Sequence, residues 1–272
     1  MSSTTTISPE KLSRLVGTPK CPTLIDVRTD ADFGADPRLI PSARRRSADQ
    51  FADWIGKVHG PAVVYCQQGH RLSEGVAAFL RAHGIAAEIL EGGFDAWRDA
   101  GQPLVPTDNG PKQNIEGRTV WVTRARPKID RIACPWLIRR FVDPDAIILF
   151  VTPAEVAAVA ERFGGAPFDI DGVFWSHRGD LCTFDIMIEE FGLATEPLLR
   201  LATIVRGADT ARPDLAPEAP GLLAASLGLS RMYADDLEQL DAGMLLYDAF
   251  YRWCRDATGE THNWPHTKSA GA

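Results

Sequence analysis

Three short apolar runs, Thr23-Leu-Ile-Asp-Val27, Ala62-Val-Val-Tyr65 and Ala87-Glu-Ile-Leu90, recur in the first part of the chain. Runs this short with no helical period predict strands buried on both faces. Between the last two, Ser73 to His83 carries apolar residues at helical spacing and ends at Gly84, which predicts a helix closed by a left-handed glycine. Strand, helix, strand in that order predicts parallel pairing, so residues 1–106 read as an α/β domain, a parallel sheet with flanking helices. From Gly101 to Gly117 the chain is rich in Gly, Pro, Asn and Asp and has no apolar period, and a linker is assigned to 107–118. Beyond it the pattern predicts strands at Thr119–Thr123 and Ala146–Val151, helices at Asp130–Phe141 and Pro153–Phe163, and a strand or turn at Val173–Ser176. Helices follow at Thr183–Phe191, Glu196–Val205, Gly221–Ala225 and Ser230–Arg255. The second domain, 119–260, is therefore expected to be a mainly helical α+β unit, with a loosely ordered tail at 261–272.

The chain has 272 residues, 45% of them hydrophobic, enough for two cores of ordinary size. Its net charge of −7 argues against coating nucleic acid or anionic membrane through the overall field, so neither is an expected partner. Met1 to Gly17 has no apolar core of signal-peptide length, and Ala146–Val151 is far too short to span a bilayer. A cytoplasmic location is expected. Cys21, Cys66, Cys134, Cys182 and Cys254 are odd in number, dispersed and free of CxxC pairs, a distribution that fits reduced thiols better than a zinc site or a disulfide framework. The sequence leaves the oligomeric state open.

The sharpest chemistry lies in Tyr65-Cys66-Gln67-Gln68-Gly69-His70-Arg71-Leu72-Ser73, where a buried strand meets a helix. Backbone N–H groups of a tight turn entering a helix N-terminus converge on one point, and the helix dipole adds positive potential there. Both favour a thiolate at Cys66, the expected nucleophile. The loop residues Gln67, Gln68, Gly69 and His70 are candidates to surround the substrate, and the planar fork of Arg71 suits an oxyanion. Arg71 follows Cys66 after four residues, whereas a cysteine phosphatase sets its arginine one residue further along. The bland alternatives are an inert thiol at a strand end and a solvent-facing His70.

Leu24-Ile-Asp-Val-Arg28, Ile40-Pro-Ser-Ala43, the Cys66–Arg71 loop and Glu91-Gly-Gly-Phe-Asp-Ala-Trp97 occur in the order found in rhodanese domains, and this part of the chain resembles that family. The resemblance implies the rhodanese α/β fold and a persulfide on Cys66. It also implies sulfur transfer from a small sulfur-containing anion such as thiosulfate to a thiol acceptor, and structural roles for Asp26, Arg28, Gly92, Gly93 and Trp97. No cofactor is expected for it. This chain departs from many rhodaneses in placing Leu72 between Arg71 and Ser73, and Gln67 and Gln68 stand at positions that vary with substrate.

In the second domain Arg124, Arg126, Lys128, Arg131, Arg139 and Arg140 cluster in an otherwise acidic chain. They form either an anion pocket or a solvated face paired with nearby acids. Cys134 reads as a second redox thiol or a buried apolar residue. His177, Asp185 and Asp209 offer imidazole and carboxylate donors for a divalent metal, iron, manganese or zinc, or else a polar network with arginines such as Arg206. Arg131 and Arg206 are the candidate oxyanion-binding residues.

Residues 126–140, His177-Arg-Gly-Asp-Leu-Cys-Thr-Phe-Asp185, Ile204-Val-Arg-Gly-Ala-Asp209 and Leu246-Tyr-Asp-Ala-Phe-Tyr-Arg-Trp-Cys254 together resemble the C-terminal domain of chromate-resistance proteins of the ChrB family. The resemblance implies a role in handling or sensing chromate, or in surviving its oxidative damage, with chromate among the candidate ligands. Regulators of that family carry a DNA-binding domain where this chain has the rhodanese-like one, so a repressor role does not follow. Two function classes stand: a sulfurtransferase tied to chromate or oxidative stress, and a non-enzymatic sensor of chromate, metal or sulfur status.

Overall fold

A computed structural model describes residues 5–261, and the expected loose tail, apart from Thr261, lies outside the described residues. The N-terminal part is built on a five-stranded sheet ordered Thr6–Ile7, Ala87–Leu90, Ala62–Tyr65, Thr23–Asp26 and Arg44–Arg45. Its strand pairs are parallel. The three runs legible in the sequence are its three inner strands, and Ala62–Tyr65, buried at every position, is the central one. The two edge strands have two residues each, too few to show a period. The expected helix is Arg71–Ala82, with Gly84 just beyond it at φ +79°. Shorter helices at Pro9–Ser13 and Asp30–Ala35 start from Ser8 and Thr29, whose side chains accept from backbone N–H groups of the first turn.

A second, three-stranded parallel sheet, ordered Ala166–Pro167, Val120–Arg124 and Ile147–Val151, carries the helix Val156–Phe163. The rest is helical: Asp130–Leu137, Thr183–Glu190, Glu196–Asp209, Ala219–Met232 and Asp236–Asp256. Two boundaries differ from the sequence pattern in ways that matter. The helix from Glu196 runs on to Asp209, and the stretch read as continuous from Ser230 breaks at Tyr233–Asp235. Asp235 accepts from the N–H groups of Leu237 and Glu238 at 2.8 and 2.9 Å and so starts a new helix. Among the described residues no helix is long and apolar enough to cross a membrane.

The Gly/Pro-rich segment is a packed connection and not a free tether. Val105–Pro106 pairs antiparallel with Arg38–Leu39, and Leu104 and Val105 are buried. Thr107 Oγ1 donates to the Pro37 carbonyl and Asn109 Nδ2 to the Glu190 carbonyl, both at 2.7 Å, tying it to each side. One apolar cluster joins Leu12, Val16 and Trp97 of the first unit to Trp136, Phe141 and Phe191 of the second. The segment's polar composition concealed this because only Leu104 and Val105 turn inward, while Ile115 is fully exposed.

Candidate functional site

Cys66 directly follows the central strand, at the carboxyl end of the parallel sheet, where such folds place their ligands. The loop is held from behind. Phe94 N–H donates to the Cys66 carbonyl and Asp95 N–H to that of Gln67, both at 3.0 Å. Gly93, at φ +60°, presses so close that a Cβ there would stand 2.3 Å from the Cys66 carbonyl oxygen and 2.4 Å from the Gly69 nitrogen. Only glycine fits that contact. Beneath it, Asp26 and Arg28 form an ion pair at 2.7 Å with both side chains wholly buried, and the Arg28 guanidinium lies 3.8 Å from the Phe94 ring centroid. Trp97, fully buried, donates from Nε1 to the Pro103 carbonyl at 2.9 Å. The structural roles expected for Asp26, Arg28, Gly93 and Trp97 are thus the support of the cysteine loop and the core beneath it.

The Cys66 sulfur sits 3.3 Å from the His70 N–H nitrogen and 3.3 Å from Ser73 Oγ. Burial alone pushes its pKa up. The Ser73 hydroxyl and the N–H groups of Ser73, His70 and Gln68 outweigh that and leave the thiol below its ordinary value. Burial drives the other cysteines the opposite way: Cys21 is raised, Cys134 and Cys182 well raised, and Cys254 pushed up to about 11. Cys134, wholly buried, is therefore a core residue and not a second redox thiol.

Of the other loop residues, Gln67 does not extend its amide to solvent, because Nε2 donates to Asp95 Oδ1 at 2.8 Å. Gln68 and His70 are exposed, and His70 serves through its backbone N–H. Arg71 is exposed at the start of the helix and has no carboxylate partner among the described residues. Ser73 was the residue sequence reasoning missed: Leu72 between Arg71 and Ser73 looked like a departure, yet it leaves Ser73 buried against the sulfur.

In the second unit the basic cluster is mostly paired. Arg140 meets Asp248 at 2.8 Å, Arg139 meets Asp241 at 3.7 Å, and Arg124 and Arg131 both meet Asp169, at 3.2 and 3.3 Å. Arg126 donates to the carbonyls of Tyr233, Ala234 and Ser230. The candidate oxyanion residues Arg131 and Arg206 thus each face a carboxylate, Arg206 at 2.8 Å from Asp185. The helix turn that would have supplied an anion site instead carries the buried acid Asp130.

His177 and Asp209 come together as expected, with Nε2 and Oδ2 3.3 Å apart, because the helix Glu196–Asp209 ends beside the histidine. Asp185 does not join them. It accepts from the Cys182 N–H at 3.0 Å, capping the helix Thr183–Glu190, and its other oxygen holds Arg206. Asp130 and Asp169, neither singled out in the sequence, stand beside His177 at 3.5 and 3.4 Å. The neighbouring Asp169 and Asp209 carboxylates push the imidazole up to about 10. Burial, then the charges of Asp209 and Asp169, raise Asp130 well above the usual carboxylate range. Asp169 is also buried, but His177, Thr183, Arg131 and Arg124 bring it below that range. The backbone is left-handed at Ile129, φ +38°, just before Asp130, and at Asp169, φ +54°. For a β-branched residue such as Ile129 this is a strained conformation, of the kind that gathers at functional sites.

A family model described as a rhodanese-like domain matches residues 8–100, and one described as the ChrB C-terminal domain matches residues 121–254. Protein ChrB of Cupriavidus metallidurans is 33% identical over 162 residues, covering 58% of this chain and 48% of that protein. An uncharacterized protein of Synechocystis sp. is 36% identical over 93 residues, covering 32% of this chain and 49% of its own length. The chain thus spans about half the length of the curated relatives it matches. Solved structures aligned with about a third of the chain include a rhodanese-related protein of Thermoplasma volcanium (21% identity, 37% of this chain and 97% of that one, TM-score 0.33). A rhodanese-like domain protein of Staphylococcus aureus aligns at 28% identity, over 34% of this chain and 90% of that one, with a TM-score of 0.31. The geometry at Cys66 and the two family matches lead to one assignment: residues 8–100 form a rhodanese-like domain, and residues 121–254 a ChrB C-terminal domain.

Proposed function

We propose that the chain is a sulfurtransferase that carries sulfane sulfur as a persulfide on Cys66. The observation that supports it most is the position of the Cys66 sulfur, within 3.3 Å of both the His70 N–H nitrogen and the Ser73 hydroxyl, with its pKa held below that of an ordinary thiol. The Cys66 thiolate attacks the outer sulfur of thiosulfate, the sulfur–sulfur bond of the donor breaks, and sulfite leaves with the electron pair. Arg71, without an internal carboxylate partner, binds the oxyanion end of the donor. The terminal sulfur of the persulfide then sits in the cradle of N–H groups until an acceptor thiolate attacks it, taking the sulfur and regenerating the Cys66 thiolate. No cofactor enters either step.

The match of residues 121–254 to the ChrB C-terminal domain supports assigning this chemistry to cells that meet chromate or the oxidative stress it brings. Chromate oxidises thiols, and a supply of sulfane sulfur to thiol acceptors answers that damage. Five unpaired cysteines suit work in a reducing cytoplasm.

The test is thiosulfate-dependent sulfur transfer to a small thiol by the purified chain, compared with Cys66→Ser. Multiple turnovers are expected from the native chain and none from the variant, with one added sulfur found on Cys66 by mass spectrometry. A chain that takes up one sulfur and never passes it on would be a sensor of sulfur status and would overturn the enzymatic reading. Turnover that survived Cys66→Ser would remove Cys66 from it.

A further inference from the structure

Three carboxylates, each from a separate segment, meet around one nitrogen of His177. Asp130 opens the helix Asp130–Leu137, Asp169 follows the strand Ala166–Pro167, His177 lies in the loop before the helix Thr183–Glu190, and Asp209 closes the helix Glu196–Asp209. His177 Nε2 stands 3.5 Å from Asp130 Oδ2, 3.4 Å from Asp169 Oδ1 and 3.3 Å from Asp209 Oδ2. These spacings decide between two explanations. One N–H can point at one acceptor, and a good N–H···O bond is about 2.7–3.2 Å long, shorter than any of the three. By contrast, ligand atoms about 2.0–2.1 Å from a shared tetrahedral ion are about 3.3 Å apart. Donor atoms of Asp130, His177 and Asp209 do all lie within 4.8 Å of one another.

An independent observation comes from Asp130. Its side chain is completely buried, and Oδ1 has no hydrogen-bond partner. A buried carboxylate oxygen left alone is costly, and a cation is what would satisfy it. No lysine or arginine pairs with Asp130 among the described residues, and the His177 imidazole stands beside Oδ2 and not the unsatisfied Oδ1. Its other oxygen is held by the Phe184 N–H at 3.3 Å. Asp169 is held differently, by Thr183 Oγ1 at 3.0 Å and by Arg124 and Arg131, so its charge is already balanced and it positions the cluster from outside.

We propose that Asp130, His177 and Asp209 bind a divalent first-row cation, Mn²⁺, Fe²⁺ or Zn²⁺. One imidazole nitrogen with carboxylate oxygens and no thiolate is the donor set those ions accept. The site is open on one side, since the His177 and Asp209 side chains are 41% and 19% exposed. Three protein ligands with a face toward solvent leave a position for water or a small anion, the arrangement of a catalytic rather than a structural ion. This site is independent of the persulfide chemistry.

The test uses the full chain, stripped with a chelator, dialysed and titrated with Mn²⁺ and Zn²⁺ by calorimetry and with Mn²⁺ by electron paramagnetic resonance. One ion per chain is expected. His177→Ala and Asp209→Asn should weaken binding by more than about 100-fold, and Thr183→Ala by about 10–100-fold, because the threonine only orients a neighbouring carboxylate. Asp185→Asn and Cys66→Ser should bind like the native chain. His177 and Asp209 are partly exposed, so these variants should keep the native circular dichroism, and they are used in place of a variant at the wholly buried Asp130. No uptake by the native chain would overturn the proposal, as would native affinity in both His177→Ala and Asp209→Asn. Binding of sulfate or chromate that required Arg131 and was indifferent to His177→Ala would replace it with an oxyanion site.

Discussion

The Ser73 hydroxyl lies 3.3 Å from the Cys66 sulfur and 2.9 Å from the His70 carbonyl oxygen, and its single proton turns from the carbonyl to the sulfur when Cys66 is a thiolate, which can only accept. Ser73 is fully buried in the first turn of the helix that receives the cysteine loop, so its position is fixed by the helix and not by the loop. A hydrogen bond to a charged group contributes about 1.5–3 kcal/mol. Ser73→Ala should therefore lower the thiolate population at neutral pH by about tenfold or more. In the native chain the rate of Cys66 alkylation should rise through a midpoint below that of an ordinary thiol. Below that midpoint the thiol is protonated and the rate falls. The midpoint should move upward in Ser73→Ala, and a profile unchanged by the substitution would show that the backbone N–H groups suffice.

Arg71 is predicted to act on the donor and not on the thiol. It is exposed, has no internal carboxylate partner, and does not figure among the groups that set the Cys66 thiol. Arg71→Ala should raise KM for thiosulfate roughly 10–100-fold through the lost charge-assisted contact while leaving the alkylation rate of Cys66 unchanged. Equal losses in alkylation and turnover would mean that Arg71 tunes the thiolate instead.

The Asp26–Arg28 pair is predicted to be worth more as a support than as a charge pair. Arg28 also donates to the carbonyls of Asp36 and Arg38, at 3.0 and 2.7 Å, while lying against Phe94, whose N–H holds the Cys66 carbonyl. Arg28→Ala strands a wholly buried carboxylate and should cost about 3–5 kcal/mol in urea denaturation. A loss under about 1 kcal/mol would show that Asp26 finds another partner or becomes protonated without consequence.

The parallel sheet and the cysteine loop were legible in the sequence because each is local: the inner strands are short, mainly apolar runs, and the loop is one contiguous segment. The carboxylate cluster around His177 was only half legible. His177 and Asp209 stand in distinctive segments, but Asp130 lies inside a basic run dominated by its arginines, and Asp169, as near before His177 as Asp185 is after it, has only Asp171 beside it and no motif to mark it. Asp185 was read into the cluster because it follows His177 closely in sequence. Its short side chain instead reaches back to the Cys182 N–H, a local capping geometry that competes with any distant role. The packing between the two units left no sequence signal, since contacts such as that of Gly17 with Phe141 join positions far apart in the chain.

That packing carries the last prediction, that the two domains unfold together. A Cβ on Gly17 would stand 2.2 Å from Phe141 Cζ, the Ser42 N–H donates to the Phe141 carbonyl at 2.6 Å, and Arg44 reaches Asp143 at 3.1 Å. Phe141 is only 2% exposed and packs on Tyr251 edge to face with ring centroids 5.5 Å apart, so its ring links the rhodanese-like unit to the last helix. Phe141→Ala should cost about 3–5 kcal/mol, as large-to-small changes in a shared core do. Calorimetry of the native chain should give one transition whose calorimetric and van't Hoff enthalpies agree. A fragment ending at residue 106 would expose the face built from Leu12, Val16 and Trp97 and should melt well below the whole chain. Two separate transitions in the whole chain, one of them at the melting temperature of the isolated fragment, would show instead that the domains fold independently and only touch.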